Sequence, residues 1–152
     1  MRNYLAIPVL VALALPAFAQ ATRDDAKALV TQAAEFLAQN GREKLISEVA
    51  SPKGRFHFQA GQKKDLYLFV YDEKGTVVAH GVRLELMGKN RWDSKDPDGK
   101  PWVQDWTRLV QHQGSGWITY KELNPAAGNK VMTKASFVLL KDHLILGCGI
   151  YQ

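Results

Sequence analysis

The sequence predicts an α+β domain in which helices pack on an antiparallel sheet of about five strands. Two observations predict it. Apolar residues recur at helical spacing over the first third of the chain past residue 20, alternate from Asp65 onward, and return to helical spacing once, near Trp102. The alternating runs are separated by short turn signals such as Asp72-Glu73-Lys74-Gly75 and Lys141-Asp142-His143, which join hairpin neighbours and leave no room for crossover helices.

Residues 1–19 read as a leader that precedes this domain. Arg2 gives a short positive start, Leu5 to Phe18 is uninterrupted apolar sequence, and Ala17-Phe18-Ala19 has the small-x-small form of a cleavage site. The run is shorter than the roughly 17 residues a spanning helix needs, and no basic cluster follows it. Cleavage after Ala19 is the expectation, with Ala21 as the alternative site and an uncleaved anchor as the other reading. Residues 20–152 then form one domain, exported and not stably inserted in a membrane.

Within that domain, Thr22 and Asp25 have the spacing of a capping box, and Asp24 and Asp25 sit where a helix dipole favours negative charge. A long amphipathic helix follows, carrying Leu29, Ala33, Phe36 and Leu37, and stops at Asn40-Gly41. Leu45, Ile46 and Val49 suggest a short second helix, ended by Ser51-Pro52-Lys53-Gly54. From Asp65, Leu66, Leu68 and Val70 share one face of a strand while Tyr67, Phe69 and Tyr71 share the other, so both faces are apolar. Thr76 to His80 is the return strand. Gly88 to Gly99 is a polar loop, and Trp102, Trp106, Leu109 and Val110 mark a helix that Gly114 ends. Trp117–Tyr120, Val131–Leu140 and Leu144–Tyr151 are the remaining strands.

Composition excludes several classes. Of 152 residues, 46% are apolar and 23% charged, which a disordered chain could not match, and one cysteine, Cys148, cannot form an internal disulfide. Cys148 lies in an apolar strand and reads as a buried thiol. The net charge of +5 is spread among acids and concentrated in no basic stripe, so nucleic acid is not an expected partner. His57, His80, His112 and His143 are scattered singly, no nucleophile elbow or phosphate loop is present, and neither an enzyme nor a cofactor is expected. Ser94 to Asp105 matches a calcium loop only in part: position one lacks a carboxylate and a shorter Asp replaces the bidentate Glu. A solvated turn, with Asp98-Gly99 capping the next helix, is the preferred reading of that stretch.

The functional signal lies where polar groups interrupt apolar strands. Lys134 shares a strand face with Met132, Ser136 and Val138, so its ammonium either reaches the rim or meets an acceptor inside. His80 and Arg83 stand where the second strand meets the polar stretch, and Tyr71, Tyr120 and Tyr151 are placed at strand ends, where a ring packs and its hydroxyl finds a partner. Cations converging beside aromatic rings would suit a small carboxylate.

Several phrases, in this order, resemble the single Cache domain family of extracytoplasmic sensors. They are Tyr67-Leu68-Phe69-Val70-Tyr71-Asp72, Val78-Ala79-His80, Leu86-Met87-Gly88-Lys89-Asn90, Asp96-Pro97-Asp98-Gly99-Lys100, Gly114 through Tyr120, Asn124-Pro125, Lys130 through Phe137, and Gly147 through Tyr151. The resemblance spans nearly all of Thr22 to Tyr151. It implies a PAS-like fold whose long N-terminal helix packs along the sheet and whose pocket lies between the sheet and the loop-helix segment. It also implies a small-molecule ligand, often a short carboxylate, and a bound state passed to a kinase or chemotaxis module.

Carried over by position, His80, Lys89, Trp102, Tyr120 and Lys134 would border the pocket, and charge and location add Arg83. The proline usual after the strand histidine is replaced by Gly81. Because nothing follows Tyr151-Gln152, the expected role is a ligand-binding protein that works with a separate membrane receptor or kinase. The alternative is a subunit of an envelope complex that binds no small ligand.

Overall fold

The computed structural model describes residues 20–58 and 66–152. The expected leader and the start of the first strand at Asp65 lie outside the described residues. The order is α1 (Arg23–Asn40), α2 (Arg42–Ala50), β1 (Phe69–Asp72), β2 (Val77–His80), α3 (Trp102–Gln113), β3 (Ser115–Asn124), β4 (Lys130–Lys141) and β5 (Leu144–Tyr151), with 3-10 turns at Leu84–Leu86 and Pro125–Ala127. The five strands form one antiparallel sheet in the order β2-β1-β5-β4-β3. The last strand therefore runs through the middle of the sheet, between β1 and β4.

Helix α1 begins as its sequence requires. Thr22 Oγ1 accepts from the Asp25 amide at 3.2 Å and the Asp25 carboxylate accepts from the Thr22 amide at 2.7 Å, closing a capping box. The helix ends where Gly41, at φ 82°, lets its amide return to the Leu37 carbonyl at 2.9 Å. Ala26, Val30, Ala33 and Leu37 form its buried stripe and pack on β4 and β5. Leu29 and Phe36, expected on that stripe, flank it together with Ala34 and are partly buried.

The sheet is a septum between two apolar layers. Leu68, Val70, Leu144, Leu146, Phe137 and Cys148 face α1 and α2. Tyr67, Phe69, Tyr71, Ile145 and Val138 face α3 with Trp102, Trp106 and Val110. This double burial is why the first strand is apolar on both faces. Strand β3 runs four residues past Tyr120, because Lys121 and Glu122 belong to an edge strand that tolerates charge. Tyr120 is consequently a mid-strand residue, not a strand-end one.

One face of β5 carries Ile145, Gly147, Gly149 and Tyr151. The two glycines open a hollow in the middle of the sheet, and neighbours fill it. A methyl group at Gly147 would land in the Phe69 ring, which is itself stacked on Trp106 at 5.0 Å. A methyl at Gly149 would strike Ser136 Oγ and come within 2.8 Å of Lys134 Cε. Gly147→Ala is therefore expected to destabilise the protein by about 1–3 kcal/mol through overpacking. Adding Phe69→Leu should recover part of that loss. Thermal melts of both variants test this, and an alanine at 147 that melts with the wild type would show that the ring yields freely.

Candidate functional site

The α3 side of the sheet gathers five of the six residues singled out in the sequence. Lys134 projects from β4 and is only 2% exposed. Its Nζ lies 4.4 Å from the centre of the Tyr67 ring, 5.1 Å from that of Tyr151 and 5.2 Å from that of Phe69. The expected alternatives of rim or internal acceptor resolve to the interior: Nζ donates to Tyr67 Oη at 2.8 Å. Among the described residues no carboxylate lies within ion-pair distance of this ammonium.

The hydroxyl chain beyond Lys134 has one consistent direction. Tyr151 Oη donates its single proton to the Leu123 carbonyl at 2.8 Å, so the 3.0 Å contact between Tyr67 and Tyr151 is a donation by Tyr67. Tyr67 then accepts from Lys134 and donates to Tyr151, and both phenols are fully engaged. Nζ is left with two N–H groups that have no acceptor among the described residues. Burial pushes the Tyr71, Tyr120 and Tyr151 hydroxyls well above their ordinary range, so these phenols stay protonated and give Lys134 no anionic partner.

His80, at the end of β2, packs its ring 5.2 Å from that of Tyr67 and is 4% exposed. Its Nδ1 accepts from the amides of Val82 at 3.2 Å and Arg83 at 3.0 Å, which places its proton on Nε2. Burial holds its pKa well below the ordinary histidine value, and the charges of Lys134, Arg83 and Arg91 push it further down. His80 is therefore a neutral donor. The turn after it explains why glycine replaces proline at 81: the Gly81 amide donates to Leu68 O at 2.9 Å, which proline could not do, and a Cβ there would crowd Phe56 O at 2.9 Å.

Arg83 reaches β3, where its Nη2 meets Glu122 Oε1 at 2.9 Å. Burial works against the guanidinium charge, and the Glu122 carboxylate outweighs it and raises the pKa. Arg83 Nε is buried with no acceptor among the described residues, as is Trp106 Nε1. Trp102 opens α3 and stacks on Tyr120 with ring centres 5.1 Å apart, and Tyr120 Oη meets Ser136 Oγ at 3.1 Å. Lys89 stands apart: its side chain is exposed, and its backbone carbonyl accepts from Val77.

The polar loop is fastened differently from its expected form. Pro101, not Asp98-Gly99, precedes α3, and no side chain caps that helix. Asp96 is instead buried and accepts from the amides of Asp98, Lys100 and Lys121, each at 2.9 Å, which ties the loop to β3. Burial would raise its pKa, but the three amides lower it overall. No group of three potential metal ligands gathers among the described residues. Glu122, Tyr67 and Asp96 were missed as site residues, because only the strand register brings the first two to Lys134 and Arg83, and only the loop path brings Asp96 to β3.

A five-stranded antiparallel sheet with its donors on the side of the loop-helix segment has the architecture of a PAS-like domain. The chain belongs to the single Cache domain 2 family, whose model matches residues 17–152. It is 34% identical over 90 residues to the sensor histidine kinase MctS of Rhizobium johnstonii, covering 58% of this chain and 19% of the kinase, so it spans about a fifth of that relative's length. In fold it is similar to a methyl-accepting chemotaxis protein from Vibrio parahaemolyticus, with TM-score 0.70, 21% identity and coverage of 85% of this chain and 87% of that one. It is also similar to a Cache chemosensory domain solved for the structural basis of its carboxylic acid recognition, with TM-score 0.62, 24% identity and coverage of 84% and 86%.

The buried neutral histidine carries a pH signature. A histidine whose folded pKa is lowered binds a proton in the unfolded chain below about pH 6.5 but not in the native one, so stability falls as pH drops through that value. His80 should add up to about 1.4 kcal/mol of destabilisation per pH unit there, one proton's worth. Melts of wild type and His80→Gln between neutral and mildly acidic pH should differ in slope by that amount, and parallel slopes would mean that His80 protonates freely in the folded protein.

Proposed function

We propose that this chain is an exported sensor-type protein that takes a small organic acid into the interior around Lys134 and His80 and passes its occupied state to a membrane partner of the kinase or chemoreceptor kind. The observation that carries the reading is Lys134, an ammonium 2% exposed with no carboxylate partner among the described residues. A buried charge left unpaired is costly, and an anionic ligand is the partner that would remove the cost. His80 Nε2–H and the free N–H groups of Lys134 would donate to its carboxylate. Phe69, Trp102 and Tyr120 would form apolar walls for its carbon chain.

Three further points support the reading. The pKa values of the interior histidine and phenols are pushed away from neutral pH, which suits neutral donors that hold an anion better than groups that shuttle protons and so supports binding over catalysis. The related kinase is a sensor by name, one structural neighbour is a chemotaxis protein, and another is a chemosensory domain that recognises carboxylic acids. The leader-like residues 1–19 favour the periplasm or the exterior as the place of action.

A thermal-shift screen of purified protein against short organic acids, amines, amino acids and purines tests the proposal, because a ligand that binds only the native state raises the melting temperature. A shift is expected with carboxylates and with no cation. Lys134→Met keeps much of the stem's volume and removes the buried charge, so the ligand-free variant should melt no lower than wild type while losing the carboxylate shift. A Lys134→Met protein that keeps its shift would remove the lysine from the site. A cooperatively melting wild type that responds to no compound would favour an envelope-complex subunit instead.

A further inference from the structure

The α3 side of the sheet holds one buried cation, Lys134, and one partly buried cation, Arg83, and they are treated differently. Lys134 donates to a phenol and lies among aromatic rings. Arg83 is paired, with Glu122 Oε1 at 2.9 Å and side chains 17% and 12% exposed. That carboxylate is fixed by a second donor, the Leu123 amide at 3.0 Å, and the Leu123 carbonyl is where the chain of hydroxyls from Lys134 ends. Glu122 is thus held by two donors on the α3 side of the sheet.

We infer that Glu122 is a specificity-determining residue: by masking the charge of Arg83 it leaves one uncompensated positive charge in the site and so restricts the ligand to a single anionic group. The inference rests on the binding role proposed above and deepens it. With Arg83 and Glu122 neutral as a pair and His80 held as a neutral donor by two backbone amides, Lys134 is, among the described residues, the one fully buried charge without a counter-ion. Arg91 stays at the rim, half-buried, 4.8 Å above the Trp102 ring and bonded to Ser94 within its own loop. A singly charged acid would neutralise Lys134. A doubly charged acid of the same size would bury one negative charge in excess and repel Glu122 as well.

The pairing still leaves Arg83 useful. Its Nε is buried without an acceptor among the described residues, so with its charge cancelled it remains a directional donor for an uncharged oxygen or for the second oxygen of the carboxylate. Removing Glu122 would restore a full second charge to the same wall.

Propionate and malonate have carbon chains of equal length and differ in one carboxylate, which makes them the probes. Calorimetric titration near neutral pH should show wild-type protein binding propionate at least about tenfold more tightly than malonate. Glu122→Gln should move that ratio toward malonate by about tenfold or more, and Arg83→Gln combined with Glu122→Gln should move it back toward propionate. The wild-type preference is a readout that needs no variant, so wild type preferring malonate overturns the inference even if Glu122→Gln does not fold. A folded Glu122→Gln protein with an unchanged ratio, or a double variant that keeps the malonate preference, also overturns it while leaving the binding role intact. Wild-type protein that melts cooperatively and binds no carboxylate overturns the binding role and this inference with it.

Discussion

The buried ammonium of Lys134 is the constraint on which the functional side of this structure depends. A lysine enters a sheet interior only if its stem has space and its head has acceptors or π-faces. Gly149 gives the space, since any side chain there would meet Lys134 Cε and Ser136 Oγ. Tyr67 gives the acceptor, and the rings of Tyr67, Phe69 and Tyr151 surround the charge. None of these supplies a counter-charge. The fold therefore carries an electrostatic cost at one point that a hydrophobic residue would not, and the proposed anionic ligand would remove it.

The rest of the molecule offsets that cost by dividing its labour across the sheet. On the α1 side, alanine, valine and leucine interlock with the backs of β4 and β5 in a continuous apolar layer. On the α3 side, glycines take the place of larger side chains in the central strand, aromatic rings stack in pairs, and hydroxyls are joined in one direction from Lys134 to the Leu123 carbonyl. Stability is concentrated on one face so that polarity can be tolerated on the other.

What the sequence made legible follows the range of the forces involved. The capping box at Thr22, the stop at Gly41, the two-faced apolar strand before Asp72 and the turn at Asp142 are local, and each lay where residue spacing put it. Lys134 could be placed on an interior face because alternation with Ser136 and Val138 is local too. Its partners could not. Tyr67 is distant in sequence and meets it only because β1 pairs with β5, a register that no short window contains. Glu122 lay beyond the expected strand Trp117–Tyr120, since charge on an edge strand and charge in a turn have the same appearance until Arg83 arrives from another loop. Lys89 shows the reverse case, a cation in a plausible phrase whose backbone pairs with Val77 while its side chain stays outside.

The two faces also differ in how easily they can yield. The segments that enclose the site, from Gly81 to Pro101, are held by point contacts: Arg83 on Glu122, the Asn90 side-chain amide on Lys74 O at 2.8 Å, Arg91 over Trp102, and the three amides on Asp96. Opening these segments would uncover Val82, Leu86 and Trp92, which are only partly buried, whereas lifting α1 would uncover the buried Val30, Ala33 and Leu37 together. Local opening therefore has its lowest cost on the side where the donors are, and the helix side stays fixed. A sheet with one rigid face and one reversibly latched face can register an occupant on the latched side as a change in local order while its core remains as it was.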